Sequence, residues 1–363
     1  MTPFPGAAAL LRDGIAARAF PAASIEVGRR EEVLWRASFG ALTYEEEAPS
    51  ADAETIFDLA SITKVLATTT LTMRAADEGL LTLDDRVADW IPDWRAADRE
   101  QVTLRDLLTH SSGLTAYLPF FRDHTGRVEF QQAIATMPLE YEPRTQSLYS
   151  DLGFILLGFI LEDARSRASQ SVGAGAFDPV ASLAAQFGRI ATLVTDEPLT
   201  YLPSRAWRSR IAPTEYDPWR GRTLVGEVHD ENAWALGGVA GHAGLFGTGA
   251  GVGAFARATL HTIAGDPILA RSATMRQFIE RSDGSGGSRA LGWDTMLASS
   301  SCGQRMSSTA IGHTGFTGTS LWIDWERDLY VVLLTNRVHP TRENSLLKQL
   351  RPRVHDAVFD GVP

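Results

Sequence analysis

A hydroxyl and an amine stand three residues apart at Ser61 and Lys64, inside the largely apolar stretch 56–65. Residues i and i+3 share one face of a helix, so a helix here brings the amine back over the hydroxyl. A lysine buried among such neighbours gives up its proton more easily, because desolvation disfavours the charged form. The neutral amine can then deprotonate the serine and make it a nucleophile. Composition singles this lysine out: of 34 basic residues only Lys64 and Lys348 are lysines, and arginine cannot act as a base. Ser345 and Lys348 repeat the spacing, but nothing downstream of them completes a site.

Two further short motifs follow Ser61. Tyr149-Ser150-Asp151 opens the apolar run 152–162, and His313-Thr314-Gly315 lies just before a pair of C-terminal strands. A phenol ionises near pH 10, so Tyr149 needs the Lys64 charge beside it to act as a base. His313 is a cation only in part at neutral pH.

These groups need a scaffold that brings positions 61, 149 and 313 together. Leu66, Leu71, Met73 and Ala76 follow helical spacing up to a stop at Gly79, which puts Ser61 in the first turn of a helix. There the free backbone N–H groups and the positive dipole end favour a developing oxyanion. Residues 23–29 and 33–40 read as a hairpin, and 319–324 and 329–335 as strands joined by a charged turn. Amphipathic helices are expected at the start (1–20) and the end (345–359). Residues 120–225 read mainly as helices and irregular loops, with a turn region at 166–176 and a Gly/Ser tip at 282–288. The expected fold is α/β in content and α+β in layout. An antiparallel sheet built from both termini is flanked by helices and carries a mostly helical inserted lobe. One lobe takes 1–78 and 226–363, the other 79–225, with the active site in the cleft between them.

Composition removes several function classes. A net charge of −10 without any basic block argues against nucleic acid as a partner. The lone Cys302 excludes an intramolecular disulfide framework and reads as incidental, and no Cys/His spacing suggests a metal. The glycine-dense loop 237–244 lacks the Lys-Ser/Thr that follows a phosphate-binding loop, and reads instead as a packed border to a cleft. His110, at the end of a short helix begun near Thr103, reads as a buried structural histidine. No run reaches membrane-spanning length, and no cofactor is expected. The N-terminal residues are broken by Arg12, Asp13 and Arg18, unlike a signal peptide. A cytoplasmic location is therefore expected, or a periplasmic or extracellular one if a leader has been removed.

Together the three ordered motifs and the longer stretches 107–114 and 312–319 resemble the serine β-lactamase and penicillin-binding superfamily, in particular its class C and esterase-like branch. The resemblance covers nearly the whole chain. It implies Ser61, Lys64 and Tyr149 as catalytic residues and an oxyanion hole from the backbone N–H groups of Ser61 and Phe316. It implies Asp151, His313, Thr314 and Gly315 as substrate-binding residues, with Gly315 sparing room for the acyl group. Two positions depart from the family pattern: Asp151 stands for an asparagine and His313 for a lysine. Without a permanent cation at 313, hydrolysis of a small ester or amide through an acyl-enzyme is expected over efficient β-lactam turnover. The alternatives are a true β-lactamase or D-alanyl-D-alanine carboxypeptidase, and a non-catalytic ligand-binding relative.

Overall fold

In a computed structural model, residues 3–171, 181–282 and 289–362 are described. Six antiparallel strands form the main sheet, in the order Val33–Gly40, Ala22–Gly28, Leu329–Thr335, Ser320–Asp324, Ile311–Thr314, Asp294–Thr295. The two chain ends meet at its centre, where Ala23 pairs with Thr335 and Val27 with Val331. Period-two alternation sorts the side chains. Ile25, Val27, Val331 and Leu333 face a cluster shared with the terminal helices Pro5–Ala16 and Leu347–Asp360. Tyr330, Val332 and Leu334 face the opposite cluster, with Val252 and Phe255 of the helix Gly249–Ala264. That cluster runs on without a break into Phe130, Leu152 to Leu161 and Phe187 of the intervening helices.

Four local readings need correction. His313 and Thr314 lie inside a strand, paired with Leu321 and Ser320, rather than ahead of the strand pair. The segment 120–225 contains strands as well as helices. Leu199–Tyr201 joins Leu245–Gly247 and Phe57–Asp58 in a second, three-stranded sheet, and Tyr216–Asp217 pairs with Arg222–Thr223. Strands of two or three residues are too short to display a period. The turn region expected from 166 is instead the end of the long helix Asp151–Ser171, and its remainder, 172–176, lies outside the described residues, as does 283–288. Finally, Ser61 is not in an α-helical turn. It sits in a 3₁₀ turn, Ala60–Ile62, followed by the π-helical Lys64–Thr69 and then the α-helix Thr70–Asp77. Ala60, at φ 47°, turns the chain sharply before it.

No described helix is long and apolar enough to cross a membrane. Among the described residues no His/Cys/Asp/Glu group could hold a metal ion.

The glycine-rich loop meets the helix Asp151–Ser171 backbone to backbone. A Cβ at Gly241 would strike the Phe154 carbonyl and lie 3.0 Å from the Gly158 nitrogen. Gly241→Ala is expected to cost about 2 kcal/mol or more, because backbone cannot give way as a side chain does. Denaturant unfolding with an unchanged midpoint would contradict this close contact.

Candidate active site

The strand Phe57–Asp58 and the turn after it are tied down from three sides. Leu59 N–H donates to the Leu245 carbonyl and Leu245 N–H to Thr63 Oγ1 (3.1 Å). Thr317 Oγ1 donates to the Asp58 carbonyl (2.7 Å) and Thr319 Oγ1 to that of Leu59 (3.0 Å). The Asp58 carboxyl accepts from the N–H of Ala60 (2.8 Å) and of His229 (2.7 Å). Burial pushes this carboxyl above its ordinary value, against the pull of those two N–H groups. Ser61 is thus fixed to the segment after His313 by hydroxyl-to-backbone bonds.

Lys64 is fully buried beneath Ser61, and its ammonium has three acceptors: Ser61 Oγ at 3.1 Å, Asp151 Oδ1 at 2.7 Å and the His242 carbonyl at 3.1 Å. Burial pulls its pKa down most strongly, but Asp151 and then Tyr149 together outweigh it, and the net shift is upward. The expectation of an easily deprotonated lysine is therefore corrected: the carboxylate holds the proton on it. Tyr149 departs from expectation in the same way. Its pKa is raised, since burial outweighs the nearby Lys64 charge, so the phenol stays protonated. Its ring lies 4.9 Å from Lys64 Nζ and 5.3 Å from the Arg289 guanidinium.

His313 is more than partly neutral. Burial, Lys64 and Arg289 push it well below the ordinary histidine value. Its Nδ1 donates to the Thr314 carbonyl (2.8 Å), and its buried Nε2 has no partner among the described residues. His110 is also neutral. Its Nδ1 accepts from the Ser150 N–H (3.0 Å) and its ring packs 4.8 Å from that of Tyr149, so it fixes the turn that presents Tyr149 and Asp151. Gly315 has a reason to be glycine within the protein itself. A Cβ there would meet Thr319 Oγ1, the Leu59 carbonyl (2.5 Å) and Ala60 Cβ (3.2 Å), so it spares room for the Ser61 turn.

A cleft of about 680 Å³ is lined by Ser61, Tyr149, Asp151, His313, Thr314, Gly315 and Phe316, which gathers the expected site residues around the buried Lys64. The Phe316 N–H donates to no acceptor among the described residues. The glycine-rich loop borders the cleft at Ala243. Sequence reasoning missed the charged walls. Asp230 and Glu231 line the cleft besides Asp151, as do the cations Arg289, Arg337, Arg342, Lys348 and Arg351, and Arg342 is paired with Glu231 at 2.7 Å. Arg351 is buried, its Nε lacks a partner among the described residues, and burial with Arg337 nearby lowers it to about 10. Cys302 is buried, away from this cleft, and burial raises its thiol to about 12, in keeping with an inert side chain.

Comparison with known proteins places this arrangement in context. A family model described as Beta-lactamase matches residues 7–354. A protein of Escherichia coli (strain K12), provisionally named a D-alanyl-D-alanine carboxypeptidase, is 29% identical over 347 residues, covering 88% of this chain and 79% of that one. Among solved structures, EstCE1, a hydrolase with promiscuous acyltransferase activity, superposes with a TM-score of 0.74 at 20% identity, covering 98% of both chains. A class C beta lactamase gives 0.72 at 16% identity, covering 97% of both. At such identities the two structures bear on the fold.

With only two lysines in the chain, lysine 13Cε NMR can follow Lys64 directly. In the native protein its resonance is expected to titrate above the ordinary lysine value. In Asp151→Asn, burial is left less opposed, so the titration moves down. A midpoint that stays in place on removing the carboxylate would contradict the role given to Asp151.

Proposed function

This chain belongs to the Beta-lactamase family, and from that premise we propose that it is a serine hydrolase acting through an acyl-enzyme on a small ester or amide. The observation that carries the reading is the buried contact of Lys64 Nζ with Ser61 Oγ at 3.1 Å and Asp151 Oδ1 at 2.7 Å.

Chemistry begins from an ammonium, so the proton inventory has to be arranged first. Lys64 passes one proton to Asp151, which turns a buried ion pair into a neutral amine and a neutral acid without changing net charge. Burial, which penalises the Lys64 ammonium, narrows the gap between the two states. The neutral amine then takes the Ser61 proton as Oγ attacks the acyl carbonyl. Backbone N–H groups of Ser61 and Phe316 receive the oxyanion, each such donor being worth roughly 3–4 kcal/mol to the transition state. Tyr149, held protonated, gives a proton to the leaving group and recovers it through Lys64. Water repeats the sequence on the ester to release the acid.

A second reading, turnover of β-lactams or of a D-alanyl peptide end, gains support from the cleft's cations. His313 offers no charge to a substrate carboxylate, but Arg289, Arg337, Lys348 and Arg351 line the same cleft. The E. coli relative's provisional name points the same way.

Hydrolysis of p-nitrophenyl butyrate and of nitrocefin separates the readings, with the ester expected to be turned over faster. Lys64→Arg is expected to lower turnover by roughly 10²–10⁴-fold, since arginine keeps the charge but cannot yield the proton. Retention of wild-type turnover in that variant would refute the role of Lys64. No turnover of either compound by the native protein would favour a ligand-binding relative.

A further inference from the structure

The third acceptor on the Lys64 ammonium belongs to neither motif that surrounds it. It is the His242 carbonyl, 3.1 Å from Nζ. The His242 side chain is buried, with Nε2 2.7 Å from Asp230 Oδ1. That oxygen also accepts from the Ala233 N–H (2.7 Å), so Asp230 caps the helix Glu231–Ala235 while it grips the imidazole. The residues before His242 are held as firmly: Thr68 Oγ1 donates to the Gly241 carbonyl (2.6 Å) and Tyr201 OH to that of Ala240 (3.1 Å). Burial alone would raise the Asp230 carboxyl. His242, the Ala233 N–H and Lys64 outweigh it and hold the acid well below the carboxylate range.

His242 Nδ1, by contrast, is buried without a partner among the described residues. An unmet buried polar atom costs about 1–3 kcal/mol, so a ring chosen for packing alone has little to recommend it at this place. What the ring does make is a single strong contact that ties the peptide holding Lys64 to the wall of the cleft, which Asp230 itself lines.

We propose that Asp230 and His242 are a positioning pair for Lys64, fixing the 242 carbonyl on Nζ so that the amine stays aimed at Ser61. The pair touches no reacting atom. It removes one of the ammonium's three directions of escape and leaves the other two, toward Ser61 and Asp151, for chemistry. Productive geometry lost by a fraction of an ångström is costly to rate. The proposal rests on the hydrolase reading for its effect on turnover, but its geometric content is independent of turnover.

Asp230→Ala and His242→Ala are each expected to lower kcat on p-nitrophenyl butyrate by about tenfold or more with KM changed less than about twofold. The double variant should be no worse than the poorer single, because both act through one contact. Asp230→Asn keeps an oxygen acceptor and His242→Gln keeps an N–H donor, and each should recover most of the loss. Multiplied losses in the double variant, a loss carried by KM, or conservative variants as poor as the alanine ones would overturn the proposal. Should the native protein turn over neither p-nitrophenyl butyrate nor nitrocefin, the hydrolase reading fails and the lysine 13Cε resonance decides. A Lys64 signal displaced in both alanine variants and restored in Asp230→Asn upholds the pair, and an undisplaced signal overturns it.

Discussion

Everything in this site follows from burying one ammonium. An amine removed from water is tolerated only when its three N–H groups find acceptors, and Lys64 finds them on three separate parts of the chain: the Ser61 turn, the first residue of the long helix at Asp151, and the glycine-rich loop at His242. Those three contacts span the sequence from 61 to 242 and oblige the segments to converge. Glycine at 241 is required because the loop must lie against the helix backbone to reach Nζ. The site and the packing around it are therefore one arrangement.

A second anchor lies on the far side of Ser61. Asp58 organises the turn that delivers the serine, and the hydroxyls of Thr317 and Thr319 bind the same turn to the segment that follows His313. The relation between Ser61 and Phe316 is thereby set by bonds from these two hydroxyls to backbone carbonyls of the Ser61 turn. The sharp turn at Ala60, with positive φ, is held by these bonds.

Much of the scaffold was legible in the chain. β-rich runs at both ends announced a sheet closed by its termini, and the helical spacing after Ser61 announced the element that carries Lys64. Tyr149 and Asp151 were reached through the resemblance to the family's motifs, at the head of a long apolar run. What stayed hidden depends on distance rather than pattern. Whether Lys64 is charged turns on a 2.7 Å contact with a residue 87 positions away, where a carboxylate outweighs burial. The strands 57–58, 199–201 and 245–247 are too short to show a period, and the buried Arg351 sits on a helix face that sequence alone cannot assign to a cleft. Gly315 was recognised as necessary, but its close approach to Leu59 and Ala60 is visible only in space.

The central claim is that the hydroxyl above this buried amine is a nucleophile. It is tested most directly by exposing the native protein to a fluorophosphonate and locating the adduct by intact mass and peptide fragmentation. The account predicts one adduct per chain, on Ser61, formed far more slowly once Lys64 is replaced by arginine. An unmodified protein, or an adduct on another serine such as Ser345, would contradict it.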